Sequence, residues 1–298
     1  MSTTHEQKKQ PTLEWFPGHM ATAYKEAVLT MRKTDVVIEV LDARVPYSSC
    51  NPMVEKLRRE NNRPALKILN KSDIADPERT REWLHYYNDQ PGVTAIALCS
   101  KQISEIAWIP NACLALVPPR EKPLRMMILG IPNVGKSTLM NAILKRHVAK
   151  VGNEPAITKM QMRHELKNGM WLIDTPGMMW PRVPLYVGMK LAAAHSIGPN
   201  AYDLETVAAY LGAYLITDYP QVLIQRFGSI DGCTDGHELL TMIARVRSCV
   251  GKGGLPDHLK AAQLLLNDFR AGTLGRITLE TPPQVAEWKR LRQSNITQ

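Results

Sequence analysis

The chain has 298 residues, of which 44% are hydrophobic and 22% are charged, so it has enough apolar material for one large globular domain or two ordinary ones. Its 37 Lys and Arg residues against 28 Asp and Glu residues give a net charge of +9. This balance favours a polyanionic partner, although a bland excess of surface lysines would give the same number. Five scattered cysteines without metal-ligand spacing predict reduced thiols and exclude a disulfide-built scaffold.

The sequence contains no segment typical of membrane insertion or export. No apolar run reaches membrane-spanning length, and the polar first ten residues contain neither the apolar core of a signal peptide nor an Arg-rich transit pattern. We therefore expect a cytoplasmic protein without a membrane partner, and a monomer as the default state.

Short apolar runs alternate with amphipathic segments along residues 1–184. Strands are predicted at 36–41, 65–69, 93–98, 126–129, 160–167 and 170–174. Helices are predicted at 21–33, 52–60, 77–88, 102–117 and 138–146. This alternation predicts an α/β fold with a doubly wound, mainly parallel sheet. Asn168-Gly169 between the last two strands predicts a hairpin that adds an antiparallel edge.

After residue 184 the periodicity becomes helical. Helices are predicted at 185–194, 204–217, 236–250 and 255–270. We therefore expect two domains, an α/β domain at 1–184 and an all-α C-terminal domain at 185–298. Six cations of the second domain are available for a basic face: Arg226, Arg245, Arg247, Lys252, Lys260 and Arg270.

The stretch after the strand at 126–129 has the pattern of a phosphate-binding P-loop. Gly130-x4-Gly135-Lys136-Ser137 leads directly into a helical segment, as a P-loop requires. Backbone N–H groups would hold the phosphates, Lys136 would reach the β- and γ-phosphates, and the Ser137 hydroxyl would ligate Mg²⁺. The residues predicted to bind the nucleotide here are Asn133, Val134, Gly135, Lys136, Ser137 and Thr138. A chance match is the alternative.

Asn70-Lys71-Ser72-Asp73 follows the strand at 65–69 and has the pattern of a guanine-binding motif. The Asp73 carboxylate can accept two hydrogen bonds, from the ring N–H and from the exocyclic amine of guanine. Adenine offers no such donor pair, so a site built this way rejects ATP through unpaired polar groups. The alternative is an ordinary Asx-type entry into a helix.

Asp174-Thr175-Pro176-Gly177 also follows a predicted strand. Asp174 would hold Mg²⁺ through water, and the Gly177 N–H would face the γ-phosphate, whereas the alternative is an ordinary Pro-Gly turn. Thr158, in a loop bounded by Gly and Pro, is the natural second hydroxyl ligand for Mg²⁺. Ligands of open α/β sheets bind at the carboxyl ends of the strands. Three strand-end motifs together therefore predict a GTPase.

The order of these motifs along the chain is unusual. In ordinary GTPases the P-loop comes first and the guanine-binding motif last, whereas here Asn70 precedes Gly130 by 60 residues. Such a cyclic reordering is tolerable because chain termini lie at the surface and a sheet can be cut at a loop. The segment after Asp174 then leads into the helical domain, so a γ-phosphate-dependent movement would be passed to that domain.

With this motif order, the chain resembles the circularly permuted GTPases of the ribosome biogenesis GTPase A (YlqF) family over about 14–280. Besides the P-loop, three stretches are similar: Trp15-Phe16-Pro17-Gly18-His19-Met20, Asp42-Ala43-Arg44-x-Pro46 and Asn267-Asp268-Phe269-Arg270-x-Gly272-x-Leu274-Gly275-Arg276. The resemblance implies a factor that binds a late precursor of the large (50S) ribosomal subunit and hydrolyses GTP when assembly is complete. It also implies that the helical domain contacts rRNA and that Ser100-Lys101 forms the loop behind the guanine.

The residue that orients the attacking water is not obvious. Many GTPases carry Gln directly after the Asp-x-x-Gly motif, but Met178 stands there, and a thioether cannot orient water. His19, on a segment that flanks the same switch, is the best catalytic candidate, and the resemblance points to it too; a structural role is the alternative. We expect slow intrinsic turnover, with stimulation on the ribosomal particle. The resemblance also implies K⁺ at Asn133, beside Mg²⁺.

The leading hypothesis is a GTP-hydrolysing assembly factor for the large ribosomal subunit that is released on hydrolysis. One alternative is a GTP-gated RNA-binding module whose hydrolysis is incidental. Another is a GTPase that acts on the small subunit or on tRNA.

Overall fold

The computed structural model describes residues 12–13, 18–102, 106–145, 161–166 and 169–294. Its strands are β1 (Thr12–Leu13), β2 (Val36–Asp42), β3 (Ala65–Asn70), β4 (Val93–Leu98), β5 (Arg125–Leu129), β6 (Met162–Glu165), β7 (Trp171–Asp174) and β8 (Val183–Pro184). The main sheet of the described residues has the order β4-β3-β2-β5-β7-β6 and is parallel except between β6 and β7. The predicted doubly wound, mainly parallel α/β sheet is confirmed.

Helices lie between the strands and then make up most of the chain after residue 184. They are α1 (Gly18–Met31), α2 (Pro46–Ser49), α3 (Pro52–Glu60), α4 (Pro77–Asn88), α5 (Ile109–Leu114), α6 (Lys136–Leu144), α7 (Leu185–Ala193), α8 (Leu204–Asp218), α9 (Pro220–Phe227), α10 (Gly236–Val246), α11 (His258–Ala271) and α12 (Pro282–Ser294). The short α2, together with α9 and α12, lies outside the predicted helices. None of the helices in the described ranges combines the length and hydrophobicity needed to span a membrane.

The helix predicted at 102–117 is wrong in extent, because α5 is the only helix among the residues described there, 102 and 106–117. Pro110 lies in the first turn of α5, where a missing N–H costs no hydrogen bond, and it sets the start of the helix. Val117 precedes Pro118, and the residue before a proline is disfavoured in the helical conformation. The described apolar residues on either side of α5, such as Ile106 and Leu116, therefore lie in turns and reach the core from there.

The predicted hairpin edge is confirmed. In the antiparallel pair β6–β7, Met162 lies opposite Asp174 and Glu165 lies opposite Trp171. Gly169 adopts a φ of +77°, which a glycine reaches without strain, while Asn168 lies outside the described residues. The hairpin places the end of β7 next to β5, and so brings Asp174 to the P-loop edge of the sheet.

The inner strands β2 and β3 are buried along their whole length, as expected for a parallel sheet covered on both faces. Three charged side chains interrupt this apolar interior. The Lys67 ammonium donates to the Glu39 carboxylate, and the third charged residue, Asp42, ends β2. Burial alone would lower the pKa of Lys67, but the Cys50, Glu39 and Glu55 side chains outweigh it and raise that pKa above its usual value.

The helices after residue 184 pack on one another and on the sheet. A Cβ at Gly236 would lie 1.8 Å from the Ala209 carbonyl oxygen, so the start of α10 can approach α8 only as glycine. The buried apolar side chains of α7, α8, α10 and α11 belong to the same hydrophobic cluster as those of the sheet. The predicted boundary between 184 and 185 therefore lies inside a shared core, and it stays a prediction.

Polar contacts also cross this boundary. The Leu279 N–H donates to the Arg44 carbonyl at 2.7 Å, and the Trp83 indole N–H donates to the Glu280 carbonyl at 3.0 Å. The buried Glu280 carboxylate accepts the N–H groups of Tyr47 and Ser48 at the start of α2. The last part of the chain therefore returns to the α/β domain.

Two cations of the basic face expected on the helical domain make contacts within the chain. Arg226 forms an ion pair with Asp268 at 2.8 Å, and Arg270 donates to the Ala192 and Ala193 carbonyls at 2.9 Å. Both partly exposed guanidinium groups thus have partners within the chain, and their contribution to an outer cationic face stays a prediction.

Candidate active site

The three predicted motifs meet at one edge of the sheet. Strands β3, β5 and β7 run in the same direction, since β2 is parallel to both β3 and β5, and β5 is parallel to β7. Their carboxyl ends lead into Asn70-Lys71, the P-loop and Asp174 respectively. The structure therefore brings together segments that lie far apart in the sequence.

Asn70 and Lys71 hold the P-loop directly. Asn70 Nδ2 donates to the Val134 carbonyl at 2.7 Å, and its Oδ1 accepts the Ser100 N–H at 2.9 Å. Lys71 Nζ donates to the Asn133 carbonyl at 2.8 Å. The guanine-binding motif and the P-loop are thus joined by hydrogen bonds, although they come from opposite sides of the permutation.

Gly135 shows how tightly these two loops approach. Its φ is +100°, and a Cβ placed on it would lie 2.2 Å from Asn70 Nδ2. Any other residue would combine backbone strain with a collision against the side chain that holds Val134. Gly177 is constrained similarly, because its Cβ would come within 3.0 Å of the Pro132 backbone.

Lys136 and Asp174 form the charged centre of the site. Lys136 Nζ donates to the Ile131 carbonyl at 2.7 Å. Burial lowers the pKa of Lys136 to about 8, against the opposing charge of Asp174. Burial likewise raises the pKa of Asp174 to about 6, against the opposing charge of Lys136. A phosphate beside the first and a cation beside the second would stabilise both charged forms.

The surroundings of Asp174 fit a bound cation. Neither of its buried carboxylate oxygens accepts a hydrogen bond of normal geometry from the described part of the chain. A buried carboxylate without such partners is costly unless an ion or water completes it, and carboxylate and hydroxyl oxygens suit Mg²⁺. Ser137 and Thr138 lie in the first turn of α6, while Thr158 lies outside the described residues.

Asp73 and Ser100 lie where a base-reading pair is expected. Asp73 is exposed in a 3-10 turn, Ser72–Ile74, directly after the left-handed Lys71. Ser100 is buried just after β4. Burial raises the pKa of the neighbouring Cys99 thiol, and Asp73, which lies close to that thiol, raises it further. Both residues therefore belong to the loops around Asn70.

An ion-pair network at the end of β2 was missed as a functional feature. Asp42 Oδ2 lies 2.7 Å from Lys71 Nζ and 2.8 Å from an Arg44 guanidinium nitrogen. Burial alone would raise the pKa of Asp42, but Arg44 and Lys71 outweigh it and hold that pKa far below its usual value. One feature of the sequence could have indicated this network: Asp42 places a carboxylate at the end of a buried strand, in the Asp42-Ala43-Arg44-x-Pro46 stretch.

Two contacts connect this edge with the chain after residue 184. Arg44 donates to the Phe269 and Ala194 carbonyls at 3.4 Å, and its guanidinium lies 5.0 Å from the Phe269 ring centroid. Asn133 Nδ2 donates to the His195 carbonyl at 2.8 Å. Arg44, beside the guanine-binding motif, and Asn133 of the P-loop therefore both contact the residues that follow α7.

The segment after Gly177 is held between α1 and β1. Met178 packs among the apolar residues under α1, and the Met179 N–H donates to Met20 Sδ at 3.5 Å. Further on, β8 pairs with β1. His19 is the second residue of α1, so its backbone lies beside this segment. Met178, which is buried there, does not occupy the position of a water-orienting side chain.

Scattered histidines and cysteines are not expected to bind metal. The described residues contain no group of three or more His, Cys, Asp or Glu side chains that could hold a metal ion. All five cysteines are free thiols.

Comparison with known proteins connects this site with a family. A family model described as a 50S ribosome-binding GTPase matches residues 125–209. Ribosome biogenesis GTPase A of Bacillus cereus is 36% identical over 92% of this chain and 96% of its own length. Ribosome biogenesis GTPase A of Priestia megaterium is 36% identical over 93% and 99%, and mitochondrial ribosome-associated GTPase 1 of Bos taurus is 32% identical over 89% and 88%.

Solved structures agree in fold. GNP-bound YlqF from T. maritima superposes with a TM-score of 0.62 at 24% identity, covering 88% of this chain and 98% of that one. The GDP-bound form gives a TM-score of 0.63 over 87% and 99%. The chain therefore belongs to the ribosome biogenesis GTPase A family, as a circularly permuted P-loop GTPase of ribosome assembly.

Proposed function

We propose that this GTPase binds a late precursor of the large ribosomal subunit in its GTP state and is released from it on GTP hydrolysis. The observation that carries the proposal is the path of the chain after Asp174. That segment passes Met178 and Met179 under α1, pairs with β1, and enters α7 without a further strand of the main sheet. A change at the γ-phosphate would therefore reach the helical region directly. The relatives' names, which refer to the 50S subunit or the ribosome, support the choice of partner.

In this proposal, the guanine base is bound by the loops after β3 and β4. Asn70 and Lys71 hold the P-loop, Asp73 accepts two hydrogen bonds from the base, and Ser100 lies behind it. An adenine ring would leave the Asp73 carboxylate without donors, which gives selectivity against ATP.

The phosphates are bound by the P-loop, through backbone N–H groups of 133–138 and through the Lys136 ammonium. Ser137, Thr158 and Asp174 would hold Mg²⁺, and the buried, unbonded oxygens of Asp174 support that assignment. When bound, Mg²⁺ neutralises charge on the β- and γ-phosphates. Asn133 Oδ1 would ligate K⁺, while Nδ2 of the same amide donates to the His195 carbonyl.

The proposed water-positioning residue is His19. It begins a helix that packs against the segment after Gly177, and Met178 is buried away in that packing. Binding of the ribosomal precursor can order a residue at this place. This would account for slow intrinsic GTP turnover and for its stimulation by the large ribosomal subunit.

The test is GTP turnover by the full chain with and without purified large subunits, small subunits or tRNA, in K⁺ and in Na⁺ buffer. We expect selective stimulation by large subunits, greater in K⁺. Stronger stimulation by small subunits or tRNA would contradict the proposed partner. Absence of stimulation by all three, with nucleotide-dependent RNA binding intact, would instead favour a GTP-gated RNA-binding module.

A further inference from the structure

A cavity lies between α3, the end of α4, the start of α7 and α12. Its volume is about 630 Å³, within the roughly 300–1,000 Å³ typical of small-molecule pockets. Trp180, three residues after Gly177, forms part of its wall. Among the residues that the structure describes, those assigned to guanine, phosphate or Mg²⁺ do not line this cavity.

Five aromatic residues line this cavity: Tyr47, Tyr86, Tyr87, Trp180 and Tyr186. Tyr87 is buried on the floor, and the other four are partly exposed. The Tyr86 ring is fixed by edge contacts with Trp83 and Tyr87, with centroids 5.1 and 5.3 Å apart. Several rings held around a small cavity suit a flat aromatic ligand, because stacking is available to any such ring.

Two exposed cations, Arg59 and Lys289, line the same cavity. Lys289 Nζ lies 5.2 Å from the Tyr47 ring centroid and donates to Tyr86 Oη at 3.0 Å. The acidic groups here are Asp89 and Glu55, and Glu55 already accepts from Arg58 and Arg59.

The floor remains uncharged, because burial raises the pKa of the Cys50 thiol to about 12 and raises that of Tyr87 above its usual value. A ligand with an uncharged ring and an attached anion therefore matches the lining.

We propose that this cavity binds one unstacked nucleotide of single-stranded RNA, with its base against the aromatic walls and its phosphate near Arg59 and Lys289. The inference rests on the proposed function, in which a ribosomal precursor supplies the RNA. A Lys or Arg side chain of a protein partner fits less well, because Lys289 already contributes a cation to the aromatic cage and the whole chain carries +9.

The cavity is also connected with the switch segment. Asn51 Nδ2 donates to the Met178 carbonyl at 2.8 Å, and the Asn51 N–H donates to Glu39 at 3.2 Å. Glu39 pairs with Lys67, whose Nζ donates to Cys50 Sγ at the cavity floor. RNA in the cavity and the nucleotide state of the switch should therefore bias each other's binding equally.

The test uses the full chain and a short single-stranded oligoribonucleotide containing 4-thiouridine, with a duplex of the same length for comparison. Affinity is measured by fluorescence anisotropy with a non-hydrolysable GTP analogue and with GDP, and ultraviolet crosslinks are mapped by mass spectrometry. The cavity variants are Tyr86→Ala and Lys289→Ala. Their controls are Trp108→Ala, an aromatic residue that is 45% exposed elsewhere, and Lys56→Ala, an exposed cation outside the cavity lining.

We expect single-stranded RNA to bind in preference to the duplex, with different affinities in the two nucleotide states and with crosslinks to aromatic residues of the cavity. Tyr86→Ala should weaken binding at least about fivefold, as loss of one stacking ring does, and Lys289→Ala should reduce its salt dependence. The controls should bind as the parent does. Because Lys289 is exposed, that variant remains informative even if Tyr86→Ala fails to fold.

Unchanged affinity in both cavity variants, no RNA binding, or crosslinks confined to α10 and α11 would overturn the proposal. So would an oligolysine peptide that binds in the cavity more tightly than RNA. These outcomes are separate from the proposed function, which fails if large subunits do not stimulate GTP turnover or if small subunits or tRNA stimulate it more strongly.

Discussion

Asp42 and Lys71 lie at the carboxyl ends of two adjacent strands, with Lys71 Nζ 2.7 Å from Asp42 Oδ2. The same carboxylate holds Arg44, which contacts the helical region through the Phe269 and Ala194 carbonyls. One buried carboxylate thus connects a residue of the guanine-binding motif with the part of the chain expected to bind the ribosome.

Replacing this carboxylate tests the connection. Asp42→Asn would leave the buried Arg44 and the partly exposed Lys71 without their anion, so we expect a loss of about 3–5 kcal/mol in the free energy of unfolding. Because Lys71 would lose its anionic partner and keep only the Asn133 carbonyl, GDP binding should also weaken. Urea unfolding and calorimetric titration measure the two effects.

The matched control is Asp35→Asn, which removes a carboxylate paired with Arg125 and Arg120 at the opposite ends of the strands. It should lower stability without changing the Kd for GDP. Equal loss of GDP affinity in both variants would mean that Asp42 acts only through general stability.

The Asp174→Asn variant should separate stability from activity. Its buried carboxylate has no hydrogen-bonded partner of normal geometry among the described residues, so a neutral amide should stabilise the metal-free protein by about 1–3 kcal/mol. The same change should abolish Mg²⁺-dependent GTP hydrolysis, because a carboxylate ligand is lost. Unfolding in EDTA and single-turnover hydrolysis give the two readouts, and a variant less stable than the parent would contradict our interpretation of the site.

His19→Ala should abolish turnover stimulated by large subunits while leaving the Kd for GTP unchanged, since the residue is expected to act on water rather than on nucleotide. The loss should be about 10²–10⁴-fold, the usual contribution of such a group. His85→Ala, at an exposed position of α4, is the control and should behave as the parent. Stimulated turnover that survives His19→Ala would assign the role elsewhere.

Acid should destabilise the protein through Glu55. Burial alone would raise the pKa of Glu55, but Arg58, Lys67 and Arg59 outweigh it and lower that pKa from 4.5 to about 2. The unfolded state therefore binds more protons in this window, so the stabilisation is complete above pH 4.5 and is lost as pH falls towards about 2.

Glu55→Gln should accordingly be less stable at neutral pH and less sensitive to acid across that window, as measured by urea unfolding at a series of pH values. Glu60→Gln on the same helix, in an exposed pair with Lys56, should change neither. A parent-like acid profile for Glu55→Gln would contradict the assignment.

Local patterns in the sequence were sufficient for much of the fold. The strands ending at Asp42, Asn70 and Asp174 are short runs of branched apolar residues, and their strand-end motifs followed from the parallel topology. The hairpin was recognisable because Asn168-Gly169 lies between segments with alternating apolar residues.

What was missed depends on contacts between distant residues. The sequence identifies Arg226 as a cation, but its partner Asp268 lies 42 residues away and becomes visible only when α9 meets α11. Likewise α12 has little apolar periodicity, and it is held by packing of Val285 against residues of β2 and α4. Tertiary packing of this kind overrides local propensity.

The most direct measurement of the central claim compares the parent and Asp73→Asn in binding GDP, XDP and ADP. If the upstream loop reads the base of a nucleotide held by the downstream P-loop, the parent should prefer GDP. The variant, which offers an amide donor to the xanthine carbonyl, should prefer XDP. A variant that keeps the parent's preference for GDP would show that Asp73 does not contact the base, and would contradict the account.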